Sequence, residues 1–133
     1  MTGEEDLGKL LATMEPMLKQ GEFVFATIDG HAVPDGLQPI GTFREDEGLT
    51  VIVSAAEAMR AGLTASKPMR LITLAVHSSL EAVGLTAAFA AELTRHGISA
   101  NVVAGYYHDH IFVSTADAER AVAALRGLSA LHR

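Results

Sequence analysis

An α+β fold with antiparallel sheet and helices on one face is predicted by three observations. The second half of the chain reads strand, helix, strand, strand, helix, and the first half reads helix, strand, strand, helix. A linker, Leu63–Pro68, separates them. Each half is a βαββαβ unit of the ferredoxin-like kind with one strand missing, the closing strand in the second and the opening strand in the first. Two incomplete units in one chain are expected to complete each other's sheet, because bare strand edges are a liability. The predicted division is an N-terminal unit over 1–66 and a C-terminal unit over 67–133.

Taken in order, Thr2 and Glu5 have capping-box spacing ahead of a helix. Its residues Leu7, Leu10, Leu11 and Met14 fall at i, i+3, i+4 and i+7. Pro16 closes that helix. Glu22–Ile28 is rich in aromatic and branched residues and reads as a strand. Asp29–Pro39, with two Asp-Gly pairs and two prolines, is a long irregular connection. Ile40–Arg44 and Leu49–Val53 form a hairpin around the acidic turn Glu45-Asp46-Glu47-Gly48. Ser54 and Glu57 make a second capping box, for a short helix Ala55–Ala61 ended by Gly62.

In the second half Arg70–Val76 is a strand. Ser78 and Glu81 have the same capping spacing at the head of a long helix that ends near Gly97. Ala82, Leu85, Phe89 and Leu93 give that helix one apolar stripe. Ile98–Ala104 and His108–Val113 are strands joined by a Gly-Tyr-Tyr turn. Ser114 or Thr115 caps a last helix whose Ala118, Ala121, Val122, Leu125 and Leu128 face inward.

Composition narrows the function classes. The chain has 133 residues, 49% of them apolar, enough for a folded core. A net charge of -6 with no Lys/Arg cluster argues against nucleic acid and against anionic membrane surfaces. The absence of cysteine excludes disulfides and fits a reducing cytoplasm. The acidic start MTGEED is not a signal peptide, and no apolar run approaches the roughly 20 residues that span a bilayer.

Polar chemistry is concentrated in two places set inside apolar runs. The first is the loop His77-Ser78-Ser79-Leu80-Glu81, which continues to Gly84. It lies between a strand's C-terminal end and a helix N-terminus, where free N–H groups and the helix dipole favour a carboxylate. Glu81 is placed to take an ammonium, Ser78 and Ser79 to add hydroxyl hydrogen bonds. Gly84, read as lying in the first turns of the helix, costs roughly 1 kcal/mol relative to alanine there, unless a ligand or a second backbone comes close. A capping box and tight helix packing would use the same residues without any ligand.

The second place is Tyr106-Tyr107-His108-Asp109-His110. On a strand His108 and His110 point to one side about 7 Å apart, and His77 would complete a three-His zinc site. No fourth ligand is placed by sequence, so histidines hydrogen-bonded to their neighbours are preferred and no metal or cofactor is expected. A triad of Ser79, His77 or His108, and Asp109 lacks a G-x-S-x-G elbow and an oxyanion loop. No nucleotide-binding glycine motif occurs.

The runs FREDEGLTVIV, LITLAVHSSLEAVGLTAA and NVVAGYYHDHIFV, in that order, resemble the signature stretches of small bacterial tandem-ACT proteins, a domain family of unknown function. The strand, the loop to Gly84-Leu85, the helix and Gly97-Ile98 resemble an ACT domain. The resemblance implies a non-catalytic regulatory protein that binds a small effector, an amino acid foremost. The expected site is the loop or the junction of the units, with Glu47 or His108 reaching the ligand, in a homodimer. A protein–protein interaction module without a small ligand is the alternative, and a His- or metal-dependent enzyme ranks third.

Overall fold

The computed structural model describes residues 6–76 and 82–133. The chain divides into two compact units. One is discontinuous in sequence, Met1–Gln20 with Arg70–Arg133, and the other is the inserted stretch Gly21–Met69. The cut expected at 66/67 thus follows the order of the sequence, whereas packing assigns the first twenty residues to the later half.

The discontinuous unit contains α1 (Leu7–Thr13), β1 (Glu15–Leu18), β6 (Met69–Ala75, all but its first residue), α3 (Leu85–Arg95), β7 (Asn101–Ala104), β8 (Asp109–Ser114) and α4 (Ala118–Ala130). Its strands run in the order β1, β6, β8, β7. The strand that the second half lacks is β1, antiparallel to β6 from Glu15↔Ala75 to Leu18↔Ile72. That completes a ferredoxin-like unit. Pro16, a helix stop by sequence, lies inside this strand, opposite Leu74. Proline is tolerated there because β1 is an edge strand, where a missing N–H breaks no second ladder.

The Thr2–Glu5 capping pair lies outside the described residues. The cap seen is Asp6, whose carboxylate accepts from the Lys9 N–H at 2.9 Å. Leu10, Leu11 and Met14 then enter the core with Ile72, Leu74, Phe89, Leu93, Ile111 and Leu125. Each fully buried Leu or Phe stabilises the unit by about 1.5–3 kcal/mol. Of the stripes predicted for the two long helices, Leu85, Phe89 and Leu93 bury on α3, whereas Ala82 precedes that helix and is partly buried; Ala118, Ala121, Val122, Leu125 and Leu128 bury on α4. A turn of 3-10 helix, Thr115–Asp117, precedes α4.

The inserted unit holds β2 (Phe23–Ile28), β3 (Gly41–Glu45), β4 (Gly48–Ser54), α2 (Ala55–Ala61) and the two-residue β5 (Thr64–Ala65). Its strand order is β3, β4, β2, β5. Val24, Ala26, Leu49, Val51, Val53 and Ala58 form its core. The capping box of α2 is present: Ser54 Oγ accepts from the Glu57 N–H at 3.2 Å and donates to Glu57 Oε2 at 3.1 Å. Gly62 ends the helix in the left-handed conformation, φ +66. The expected linker 63–68 is instead held on β2, since the Phe25 N–H donates to Ser66 Oγ at 3.0 Å and the Ser66 N–H to the Phe25 carbonyl at 2.9 Å.

The acidic hairpin turns at Asp46-Glu47, with Glu45 paired to Gly48. A Cβ at Gly48 would sit 2.7 Å from the Ile28 carbonyl oxygen, a backbone atom that cannot swing aside. A Cβ at Gly41 would meet only the end of the Ile52 side chain, at 3.2 Å. Gly48→Ala is therefore expected to cost about 1–3 kcal/mol of stability, and Gly41→Ala less. Urea unfolding of the two variants checks this; equal costs would refute the backbone clash.

Candidate functional site

In the discontinuous unit β6 leads to Val76, whose N–H donates to the Leu74 carbonyl at 2.9 Å. The predicted site residues His77, Ser78, Ser79, Leu80 and Glu81 follow and lie outside the described residues. Beyond them α3 begins at Leu85, with Gly84 as its N-cap at φ +98. The reading of Gly84 inside the first helical turns is corrected. This glycine does not weaken a helix; its left-handed backbone favours glycine at the helix entrance. Its Cα also approaches Leu7, since a Cβ there would be 3.2 Å from Leu7 Cδ2. Glycine brings no side chain to accept from the first-turn N–H groups, and that turn carries no acidic residue. The head of α3 is therefore electrostatically suited to an anion.

The turn between β7 and β8 reaches the same strand end. The Gly105 N–H donates to the His108 carbonyl at 2.9 Å, which closes the turn. A Cβ at Gly105 would lie 2.9 Å from that carbonyl oxygen and 3.1 Å from His110 Nε2, so only glycine fits without displacement. His108 Nδ1 lies 3.3 Å from the Val76 carbonyl and donates to it. That contact brings His108 beside the residue from which the candidate loop departs. Tyr106 and Tyr107 stand on the rim, 70% and 69% exposed, edge to face with ring centres 5.1 Å apart.

His108 and His110 do not act as a pair. The strand starts at Asp109, so His108 belongs to the turn, and the two imidazoles engage different partners. His110 Nδ1 hydrogen-bonds the Thr73 hydroxyl at 3.0 Å on β6. Burial pushes His110 below its ordinary value of 6.5, helped by His108 and Lys19 and opposed by Asp109. Asp109 is buried, and burial raises its carboxyl above 3.8 against the two histidines. Among the described residues no group of three or more His, Asp or Glu is placed to hold a metal. Glu47 is exposed in the hairpin turn of the inserted unit. Sequence reasoning missed Thr73 and Gly105, which carry no motif; only strand register exposes them.

A groove of about 490 Å³ between α3 and α4 is lined by Glu92, Arg95, His96, Arg120 and Gly127, among others. Its charges are spent on one another. Arg95 and His96 meet Glu92 at 3.1 and 3.2 Å, while Arg120 meets Asp117 at 2.9 Å and donates to the His96 carbonyl at 3.1 Å. These contacts fasten the C-terminal end of α3.

Comparison with known proteins gives two ACT-domain family models, matching residues 2–70 and 66–127. Among solved structures, a protein of unknown function from Vibrio cholerae, described as a possible transport protein, is 54% identical; the match covers 94% of this chain and 97% of that one, with a TM-score of 0.85. An Agrobacterium tumefaciens protein is 18% identical over 87% of this chain and 89% of its own, TM-score 0.73. The regulatory subunit of aspartate kinase from Thermus flavus is 11% identical over 88% and 98%, TM-score 0.68. The last two share the fold. None of the curated proteins compared with the chain matches it.

Because the folded state disfavours charged His110, the unfolded state binds more protons just below pH 6.5, and stability falls as the pH drops through that range. Urea midpoints at about pH 7 and about pH 5 should show this loss, and His110→Gln should lessen it. An equal loss in the variant would assign the effect to other groups.

Proposed function

The chain belongs to the ACT-domain family, and from that premise we propose that it is a non-catalytic regulatory protein that binds a small effector, an amino acid. The binding site is the segment from His77 through Ser78, Ser79, Leu80 and Glu81 to Gly84, with His108 beside it. The observation that carries this reading is the convergence at the end of β6. The uncapped head of α3 and the His108 imidazole come from different elements, and both flank the segment that joins β6 to α3. The α3 amides suit the effector's carboxylate, and Glu81 suits its ammonium. No helix among the described residues is long and apolar enough to cross a membrane. A homodimer and a cytoplasmic setting belong to the same proposal.

A ligand that binds only the folded state raises stability by about 2.7 kcal/mol at a concentration of 100 Kd. A thermal-shift screen with the proteinogenic amino acids at millimolar concentration should therefore single out one or a few. Glu81→Ala should abolish that shift while leaving the unliganded Tm unchanged, and His108→Ala should weaken it. If no amino acid shifts the Tm, the interaction-module reading takes its place.

A further inference from the structure

We infer that the inserted unit carries a second small-molecule site, separate from the segment at β6 and α3, which takes a free amino acid or a similarly small zwitterion. The site exists because of a missing helix. In the discontinuous unit the chain passes from β6 to β7 through α3, which covers the sheet beside α4. In the inserted unit the corresponding passage, from β2 to β3, contains no helix, and the irregular segment 29–40 takes its place. An irregular segment does not fill the volume of a helix. A cavity of about 200 Å³ is left between it and α2, lined by Pro34, Asp35, Leu37, Glu57, Arg60 and Ala61.

The wall of this cavity is fastened. The Gln38 N–H donates to Glu57 Oε1 at 2.8 Å, while Glu57 Oε2 accepts from the Ser54 hydroxyl at 3.1 Å. The Leu37 N–H donates to the Pro34 carbonyl at 3.2 Å, and the Leu37 side chain packs on the unit's core. Both oxygens of Glu57 are thereby engaged in holding the loop to the helix. Asp35 and Arg60 remain. Both line the cavity, yet no ion pair joins them, and neither has a charged or hydrogen-bonding partner among the described residues. Asp35 and Arg60, two exposed and oppositely charged residues on the lining of one cleft, match a ligand that carries both charges. The ligand's carboxylate goes to Arg60 and its ammonium to Asp35. Pro34, Leu37 and Ala61 supply apolar surface for a short aliphatic side chain. Drug-sized ligands occupy about 300–1,000 Å³, so the cavity selects for a smaller molecule. Two carboxylates against one guanidinium also disfavour polyanions such as nucleotides.

The test is a heteronuclear NMR titration of the full chain with L-alanine, with acetate and methylammonium as single-charge probes. L-Alanine should move the Gly36 amide and Arg60 Nε–H signals saturably at millimolar concentration. Asp35→Asn and Arg60→Gln, both substitutions of exposed side chains, should each weaken that response about tenfold, the loss of one charge-assisted hydrogen bond, and leave the unliganded Tm unchanged. Each single-charge probe should bind at least about tenfold more weakly than L-alanine. No saturable movement at Gly36 and Arg60 with any proteinogenic amino acid would overturn the inference. So would a response that survives in the double variant. The Gly84 amide reports the other site independently: movement there alone sustains the proposed function and sinks this second site, and movement at Gly36 alone does the reverse.

Discussion

The pairing of β1 with β6 is the constraint on which the rest of the molecule depends. Residues 70–133 alone have three strands and two long helices, and β6 without a neighbour on one side would expose its ladder groups. The segment that covers it also brings α1, whose Leu10 is fully buried, together with the fully buried Met14. Tertiary hydrogen bonds hold the same segment in place: Lys19 N–H to the Leu71 carbonyl at 2.9 Å, Arg70 to the Lys19 carbonyl at 2.8 Å, and Ser129 to the Ala12 carbonyl at 3.1 Å. The segment proposed to bind the effector follows the C-terminal end of β6, the strand this pairing completes. The strand that leads to it therefore rests on residues from the far end of the sequence.

That dependence also explains what was legible in the sequence. Long elements with a strong period could be read. The α3 and α4 stripes, the β3–β4 hairpin and the Ser54–Gly62 helix with both its caps stand where their residues indicate. Local chemistry alone decides these. Two short strands were missed because pairing, not composition, makes them strands. Glu-Pro-Met-Leu has no strand signature until β6 lies beside it, and Thr64-Ala65 is a strand only through its pairing with β2. The need for a borrowed strand was visible; the fragment that supplies it was not.

The candidate site was legible in a similarly uneven way. His108 and Gly84 were singled out for chemistry and do flank the loop, but by different physics from that expected. Gly84 adopts a left-handed backbone at a helix entrance rather than lying within the helix, and His108 hydrogen-bonds a carbonyl from a turn rather than from a strand. Burial disfavours the charge on both Asp109 and His110, raising the carboxyl and lowering the imidazole, while each group's charge favours the other's. The turn before them requires glycine at 105, because a Cβ there would meet the His108 carbonyl and the His110 ring.

The insertion of one unit within the other has a consequence for biosynthesis. At about 5–20 residues per second, β1 leaves the ribosome on the order of 3–10 s before β6 exists to receive it. As that interval ends Gly21–Met69 is complete and has its own core. Its folding sets Phe23 beside Met69, and so draws together the two points where the outer unit's chain is interrupted. Closing a flexible loop of that length would otherwise cost about 3 kcal/mol in chain entropy. A fold that looks like two domains in series can therefore assemble as a nested pair. The inner one, contiguous in sequence, closes the loop that separates β1 from β6.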